Sequence, residues 1–401
     1  MKIIGGNPYW TKINKTHQRY KELKDNTSCD ILIIGGGVTG AICAYSLSKA
    51  GMKCILLEEN LVAQGSTATC TSLLQYDIDL DIIGLSKKIG LEKAKRAFIL
   101  CKEAVYSLSN IIKNEDLDCS YMEVPSLYYT MNPKDYFDMK KEYELRKDLG
   151  LNVEFLDKDN YDKYVPFEIS SGIISHSLSL LIDPYLFTID LLNICNTRGV
   201  KIYEKTKIKY QTPLDNGYVC TTEDNFNISC KKILICTGYN GASLFKEPIA
   251  NFSRTFNIVT SPIKKDNELW YKNMMMKDNK DYYTYIRTTD DKRIIIGGED
   301  ITQLGYDENK NTNAYNTLES NLKKLFPDFT FSIDYKFNGI FADTEDSLPY
   351  IGEHPDFKDY YFCLGYGSNG ILYSLIGSEL IAKLYYGDPC PDIELFKFRR
   401  F

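Results

Sequence analysis

Residues Cys29–Glu59 read CDILIIGGGVTGAICAYSLSKAGMKCILLEE, and the order of residue types in this stretch decides the fold. Ile31–Ile34 is a short apolar run. Gly35-Gly36-Gly37-Val38-Thr39-Gly40 follows at once, and Ala41–Ala50 continues with small and apolar residues. The pattern predicts strand, tight turn and helix, with Gly51 ending the helix and Lys53–Leu57 forming the next strand. In this G-x-G-x-x-G pattern Gly35 permits the turn, Gly37 lets the backbone approach a pyrophosphate, and Gly40 lets helix and strand pack closely. The helix N-terminus offers unpaired N–H groups and the positive end of a dipole to phosphate. Glu58 lies eighteen positions beyond Gly40, where a carboxylate hydrogen-bonds an adenosine ribose. The expectation is a dinucleotide-binding βαβ unit.

The unit is embedded in 401 residues, 44% of them apolar and 25% charged, enough for more than one globular core. A net charge of −6 argues against a protein that coats nucleic acid or an anionic membrane. No run of 18 apolar residues exists, so no integral membrane segment is expected. The 12 cysteines include no C-x-x-C, and several fall in apolar segments. They read as buried free thiols in a reducing cytoplasm, and a cytoplasmic location is expected. His17, His176 and His354 are scattered, which disfavours a metal site or a Ser-His-Asp hydrolase, and no metal is expected.

Further along, Leu80–Lys113 has helical spacing interrupted at Gly84 and Gly90. Cys119–Thr130 is β-rich, and Asn132–Gly150 reads as a charged helix. Ser171–Ser175 is a short strand, and Asp183-Pro184 opens a helix. Lys232–Cys236 is a fully apolar strand ending in Thr237-Gly238, placed as a late strand of the first sheet. A second β-rich region, with Met274–Met276 as a loop or edge packing element, precedes a helix over Asn311–Leu325. Gly365-Tyr366-Gly367-Ser368-Asn369-Gly370 then leads into a helix over Ile371–Tyr386. A helix N-terminus there can face the N1–C2=O edge of a flavin and stabilise the charge that appears on reduction. The βαβ segments are therefore separated by β-rich insertions. One domain is expected from residues 1–118, 171–250 and 338–401, and a substrate-binding cap from residues 119–170 and 251–337.

These blocks, with GSTATCTSLLQ (Gly65–Gln75), ILICTGY (Ile233–Tyr239) and DSLPYIGE (Asp346–Glu353), resemble the D-amino-acid-oxidase-like FAD-dependent oxidoreductases. That family includes glycine, sarcosine and gamma-glutamylputrescine oxidases. The resemblance implies an α/β plus β architecture: a discontinuous Rossmann-like FAD-binding domain and an antiparallel-sheet substrate domain. It implies that Gly35, Gly37, Val38, Thr39 and Gly40 hold the pyrophosphate, with Glu58 and Glu59 at the ribose. Gly65, Thr67, Thr71, Ser72 and Leu73 would pass beside the flavin, and Ile208 would touch the adenine side. Thr237 and Gly238 would close over the pyrophosphate, and Gly365, Gly367, Ser368, Asn369, Gly370 and Ile371 would meet the pyrimidine edge. Removal of hydride from a C–N bond of an amine or amino acid is implied, with O₂ or another acceptor taking the electrons.

There are departures. The arginine that binds the substrate carboxylate in glycine-oxidase-like members falls at Phe341. The positions of arginine and lysine in sarcosine-oxidase-like members fall at Ser72–Gln75 and Leu372. The cysteine that links flavin covalently falls near Gly339, so non-covalent FAD is expected. The C-x-H…C-x-x-H pattern of the Rieske centre appended in some relatives is missing, and no such centre is expected.

Flavin-dependent amine oxidation asks mainly for a neutral amine placed over a polarised ring. Alternation in Tyr283-Thr284-Tyr285-Ile286-Arg287 puts Tyr283, Tyr285 and Arg287 on one sheet face, and these join Tyr128 and Tyr129 as candidate substrate contacts. Arg287 is a candidate for pairing with a carboxylate. His176 is expected to be structural. An NAD-dependent dehydrogenase would keep the first motif but leave the small-residue loop and the C-terminal glycine cluster unexplained. A flavin-binding module without catalysis would fit the departures at Phe341 and Leu372.

Overall fold

The computed structural model describes residues 3–14, 19–302 and 308–400; His17 lies outside them. One sheet has a parallel centre in the order Lys201–Tyr203, Cys54–Leu57, Thr27–Ile34, Asn227–Ile235 and Phe357–Leu364. The strand Asn227–Ile235 serves two neighbours. Its first half pairs antiparallel with Gly217–Thr222, while Ile233–Ile235 pair with Tyr360–Phe362. The apolar runs of these strands reflect burial on both faces. Ile31, Ile33, Cys54, Leu56, Leu234 and Cys363 face the helices Val38–Lys49, Pro184–Thr197 and Gly370–Tyr386. Leu32, Ile55, Leu57, Ile233, Phe362 and Leu364 face a second layer that includes Phe398.

Small residues set the closeness of this packing. A Cβ on Gly40 would run into the carbonyl oxygen of Gly35, and one on Gly35 into that of Cys236. Gly35 has φ +114° and donates its N–H to Leu57 O at 2.8 Å. The helices Val38–Lys49 and Gly370–Tyr386 touch through Ser46 and Ser378 and through Thr39 and Ser374, both pairs at 2.9 Å.

A nine-stranded sheet lies beside the first, in the order Ile4–Gly6, Ile333–Asp343, Asn251–Thr260, Ile294–Ile301, Tyr285–Thr288, Met275–Asp278, Ser126–Thr130, Ser171–Ser175, Val153–Leu156. All pairs are antiparallel except Met275–Asp278 with Ser126–Thr130. The helix Glu308–Leu325 covers one face, where Leu318 and Leu322 meet Phe256, Ile258, Ile294 and Ile296.

Several elements differ from the sequence reading. Ile4–Gly6 and Ser171–Ser175 pair into the nine-stranded sheet, although both fall in stretches expected in the dinucleotide domain. The strand Ile333–Asp343 crosses the expected boundary at residue 338. Met275–Asp278 is an interior strand with Met275 and Met276 buried, not a loop or edge, because bonds on both sides fix it in the sheet. The stretch expected to be helical over 80–113 forms two helices, Ile82–Ile89 and Leu91–Asn114, broken only at Gly90 with φ +87°. Gly84 stays helical, since Asp81 caps its N–H at 2.7 Å. No helix among the described residues is long and apolar enough to cross a membrane.

The Gly40–Gly35 contact is backbone on one side and cannot yield cheaply. Gly40→Ala is expected to lower unfolding free energy by roughly 3 kcal/mol, read by thermal denaturation as a markedly lower midpoint.

Candidate active site

A cavity of about 950 Å³ runs between the C-terminal ends of the parallel strands and the nine-stranded sheet. Its wall includes Gly35, Gly37, Val38 and Thr39, then Glu58, Glu59 and Ile208, then Gly65, Thr67, Thr71, Ser72 and Leu73. Thr237, Gly238, Gly365, Gly367, Ser368, Asn369, Gly370 and Ile371 complete that side. Gly40 is behind the wall, packed on Gly35. Stretches more than 300 residues apart in the chain thus line one space, at the strand ends where open α/β sheets bind ligands.

The fit to a dinucleotide can be tested on the side chains present. Gly37 is the N-cap of the helix Val38–Lys49, with no side-chain cap of its own. Among the described residues, the atom that a Cβ built on Gly37 would meet from elsewhere in the fold is Thr67 Oγ1, at 3.2 Å, so backbone faces the cavity there. Thr67 Oγ1 also accepts the Val38 N–H at 3.0 Å. Glu58 is fixed by the N–H groups of Gly36 and Asn60, both at 2.8 Å. Burial raises its pKa while those two N–H groups lower it. A carboxylate has about four lone-pair sites. Two are used by the backbone, and the rest suit ribose hydroxyls. Ser72 is buried at φ +60°, and its Oγ, beside the Cys70 thiol, has no oxygen or nitrogen partner among the described residues. An orphan hydroxyl in a cavity wall fits a polar ligand.

The C-terminal glycine loop is tied down from the segment that follows Gln75 and from the strand Ile333–Asp343. Ser368 N donates to Asp79 Oδ2 at 2.8 Å, Asn369 Nδ2 to Asp77 O at 2.6 Å, and Gly367 N to Ala342 O at 2.9 Å. Gly367 has φ +87°, and a Cβ there would lie 2.9 Å from Ser347 O. The helix Gly370–Tyr386 again has no side-chain cap at its N-terminus, which leaves its positive end towards the cavity.

Of the candidate substrate residues, Tyr283 and Tyr285 line the cavity. Tyr283 donates to Asp79 Oδ1 at 2.8 Å. Tyr285 donates to Asn257 Oδ1 at 2.9 Å and lies 3.1 Å from Thr255 Oγ1. Gly297 leaves room for the Tyr285 ring, which a Cβ would strike. Burial pushes both phenols well above their ordinary range.

Arg287, Tyr128 and Tyr129 are elsewhere. Arg287 is fully buried and donates through Nη1 to the carbonyls of Thr71 (2.8 Å), Ser72 (3.1 Å) and Ile182 (2.9 Å). Burial lowers its pKa to about 10. It clamps the Thr71–Ser72 loop and has no face on the cavity, because backbone carbonyls consume its fork. Tyr129 packs 5.6 Å from the Phe167 ring in the core under the helix Glu308–Leu325. The side chain of Tyr128 turns the other way, to Arg146. His176 contacts Glu154 at 3.1 Å, away from the cavity. Phe341 lines the cavity, and Leu372 is buried in the helical core.

Sequence reasoning missed Asp79, Lys277, Thr255 and Asp300, all at the substrate end. Lys277 sits 4.0 Å over the Tyr283 ring and 3.7 Å from Asp79. Burial, then Asp79 and Glu299, raise Asp300 to about 6 against a hydrogen bond from Thr255. Burial, then Asp79 and Asp300, raise nearby Asp343 to about 7. The available signal for Asp300 was Gly297-Gly298 inside a strand pattern, which marks a bulge or a close approach.

The profile of the family described as FAD dependent oxidoreductase (DAO) matches residues 30–384. Gamma-glutamylputrescine oxidoreductase of Escherichia coli (strain K12) is 25% identical over 95% of this chain and 89% of its own length. Glycine oxidase of Bacillus licheniformis is 23% identical over 92% of this chain and 97% of its own. The crystal structure of glycine oxidase from Geobacillus kaustophilus superposes with a TM-score of 0.78 at 18% identity, covering 93% of this chain and 99% of that one.

Two outcomes follow for the coenzyme end. Gly37→Val is expected to abolish FAD retention by filling the backbone approach, read as loss of flavin absorbance in the purified protein. Arg287→Ala removes the donor to four backbone carbonyls, those of Thr71, Ser72, Ile182 and Thr288, and should cost about 3 kcal/mol of stability. Flavin occupancy should fall, and turnover of carboxylate-bearing and carboxylate-free substrates should fall alike; selective loss of the former would contradict the clamp role. Fingerprint, split sheet, continuous cavity and a profile match over most of the chain agree, and the protein belongs to the DAO family of FAD dependent oxidoreductases.

Proposed function

We propose that this protein oxidises the C–N bond of a small amine, or of an amino-acid derivative without a free α-carboxylate, giving an imine that water hydrolyses. The observation that carries this reading is the charge of the cavity's substrate end. Phe341 lines the wall at the position where the carboxylate-binding arginine of glycine-oxidase-like members would fall, and Arg287 is spent on backbone carbonyls. Lys277 is held against Asp79 and the face of Tyr283, while Asp300 adds a further carboxylate to the wall. Such a surface attracts an ammonium and repels a carboxylate. The names of the relatives, an oxidoreductase of a putrescine conjugate and a glycine oxidase, support a nitrogen-bearing substrate.

Non-covalently bound FAD would supply a two-electron acceptor at N5, with O₂ or another acceptor taking the electrons onward. The protein's part is placement. Tyr283 and Tyr285, whose ring centroids are 5.9 Å apart, form a hydroxyl-bearing wall fixed by Asp79, Thr255 and Asn257. Their hydroxyls remain protonated, since burial opposes ionisation. Phe341 offers an apolar surface for the substrate's carbon chain. The Thr71–Ser72 loop, held by Arg287, forms another part of the wall.

Anaerobic mixing of the flavin-loaded protein with a panel of amines and α-amino acids tests the reading. Bleaching of the visible flavin bands should be at least tenfold faster with amines lacking an α-carboxylate. Reduction by α-amino acids alone, or by no compound of the panel, would refute it.

A further inference from the structure

One carboxylate reaches the cavity through an irregularity in its strand. In Ile294–Ile301, Ile294 and Ile296 face the core beneath the helix Glu308–Leu325, so regular alternation would send Asp300 to that same face. The register breaks the alternation. Phe256 is opposite Gly298, but Arg254 is opposite Ile301, two steps on one strand against three on the other. Glu299 takes up the extra residue at φ +55°, an uncommon conformation for a side-chain-bearing residue. Beyond the bulge Ile301 returns to the helix-covered core, and Asp300 turns to the cavity, joining Thr255 and Tyr285.

The bulge places a carboxylate with little to hold it. Thr255 lies close enough to lower the Asp300 pKa, but Asp300 Oδ1 is sealed from solvent with no hydrogen-bond partner among the described residues. A buried, unpaired carboxylate oxygen is costly unless a donor or cation meets it. The groups that act on it are Asp79, Glu299 and Asp343, all acids and none of them a cation, with the protonated Tyr285 beside Thr255. Lys277, the cation at this end of the cavity, is already engaged by Asp79 and Tyr283. The Asp300 side chain nonetheless lines the cavity, so the counter-charge that the protein does not supply is one that a substrate can bring.

We propose that Asp300 binds the substrate's ammonium group and accepts one proton from it, so that the nitrogen is neutral when its C–H bond is oxidised. In this step an N–H bond breaks with its electron pair remaining on nitrogen, and an O–H bond forms on Asp300. No electrons are exchanged, so no oxidant is needed for it. The ligand class is a carbon-bound ammonium with an apolar chain, since a carboxylate on the adjacent carbon would lie among Asp79, Asp300 and Asp343. The assignment rests on the C–N oxidation reading for its second half, and on the cavity alone for its first.

The test uses the FAD-loaded protein and Asp300→Asn, which keeps shape while removing charge, with flavin content and melting temperature compared first. Methylammonium is titrated anaerobically, with perturbation of the flavin absorption as the readout. Reducing amines are then followed by rapid mixing between pH 5 and 9. The wild type should bind methylammonium saturably, with affinity and reduction rate falling as pH drops through about 6, where Asp300 takes up its proton. Asp300→Asn should weaken methylammonium at least tenfold and lose that acid limb. Asp300→Glu, which restores the charge, should recover part of both if Asp300→Asn folds poorly. Equal affinity and an unchanged pH profile in Asp300→Asn would overturn the assignment, as would a wild type that binds no methylammonium. If methylammonium binds through Asp300 while no amine bleaches the flavin, the ammonium site stands and the oxidation reading falls.

Discussion

The architecture depends on an approach of main chain to main chain that leaves no space for side chains. The carbonyl of Gly35 lies where Gly40 would carry a Cβ, and the carbonyl of Cys236 where Gly35 would. Three backbone segments from two distant parts of the chain therefore meet at the strand ends. The start of the helix Val38–Lys49 is drawn down beside them, with Gly37 bare towards the cavity. Bulkier residues at these positions would push the helix off the sheet and close the space that the second glycine cluster also lines.

The two ends of the cavity treat charge differently. At one end the acid, Glu58, is held by backbone N–H groups and aimed at hydroxyls. At the other end carboxylates crowd together, and burial holds Asp300 and Asp343 partly towards their neutral forms. The single most buried cation near this region, Arg287, faces away from the cavity and takes only carbonyl oxygens. It rigidifies a loop, and its hydrogen bonds go to backbone carbonyls and not to a ligand in the cavity. The result is a site whose polarity is set by aspartates and phenols.

The coenzyme half was largely readable because its chemistry is written in local sequence. Each glycine block sits next to the strand or helix it serves, and nearly every residue assigned from those blocks lines the cavity. The substrate half was not readable in the same way. Alternation correctly grouped Tyr285 with Arg287, but side-chain length and the path of the Thr71–Ser72 loop sent the guanidinium to backbone carbonyls. Tyr129 failed for a different reason: nothing local shows which face of a strand meets the cavity until the sheet is assembled. Asp300 was hidden by a one-residue bulge, which reverses facing without leaving any mark stronger than a pair of glycines. Asp79 enters through a tertiary meeting with Ser368, 289 positions along the chain.

The order of strands also constrains how the molecule can be made. The central strand Asn227–Ile235 gains its partner Phe357–Leu364 only after more than a hundred further residues, and Ile4 pairs with Gly339. Neither sheet can close on a growing polypeptide until the strands Ile333–Asp343 and Phe357–Leu364 have left the ribosome, and late, non-local pairing of this kind is slow. Apolar strand edges, Ile233–Ile235 among them, stay uncovered throughout that interval. Nascent chains of this protein are thus exposed to chaperone capture or self-association during that interval, a liability that follows from topology and that stabilising the finished fold would not remove.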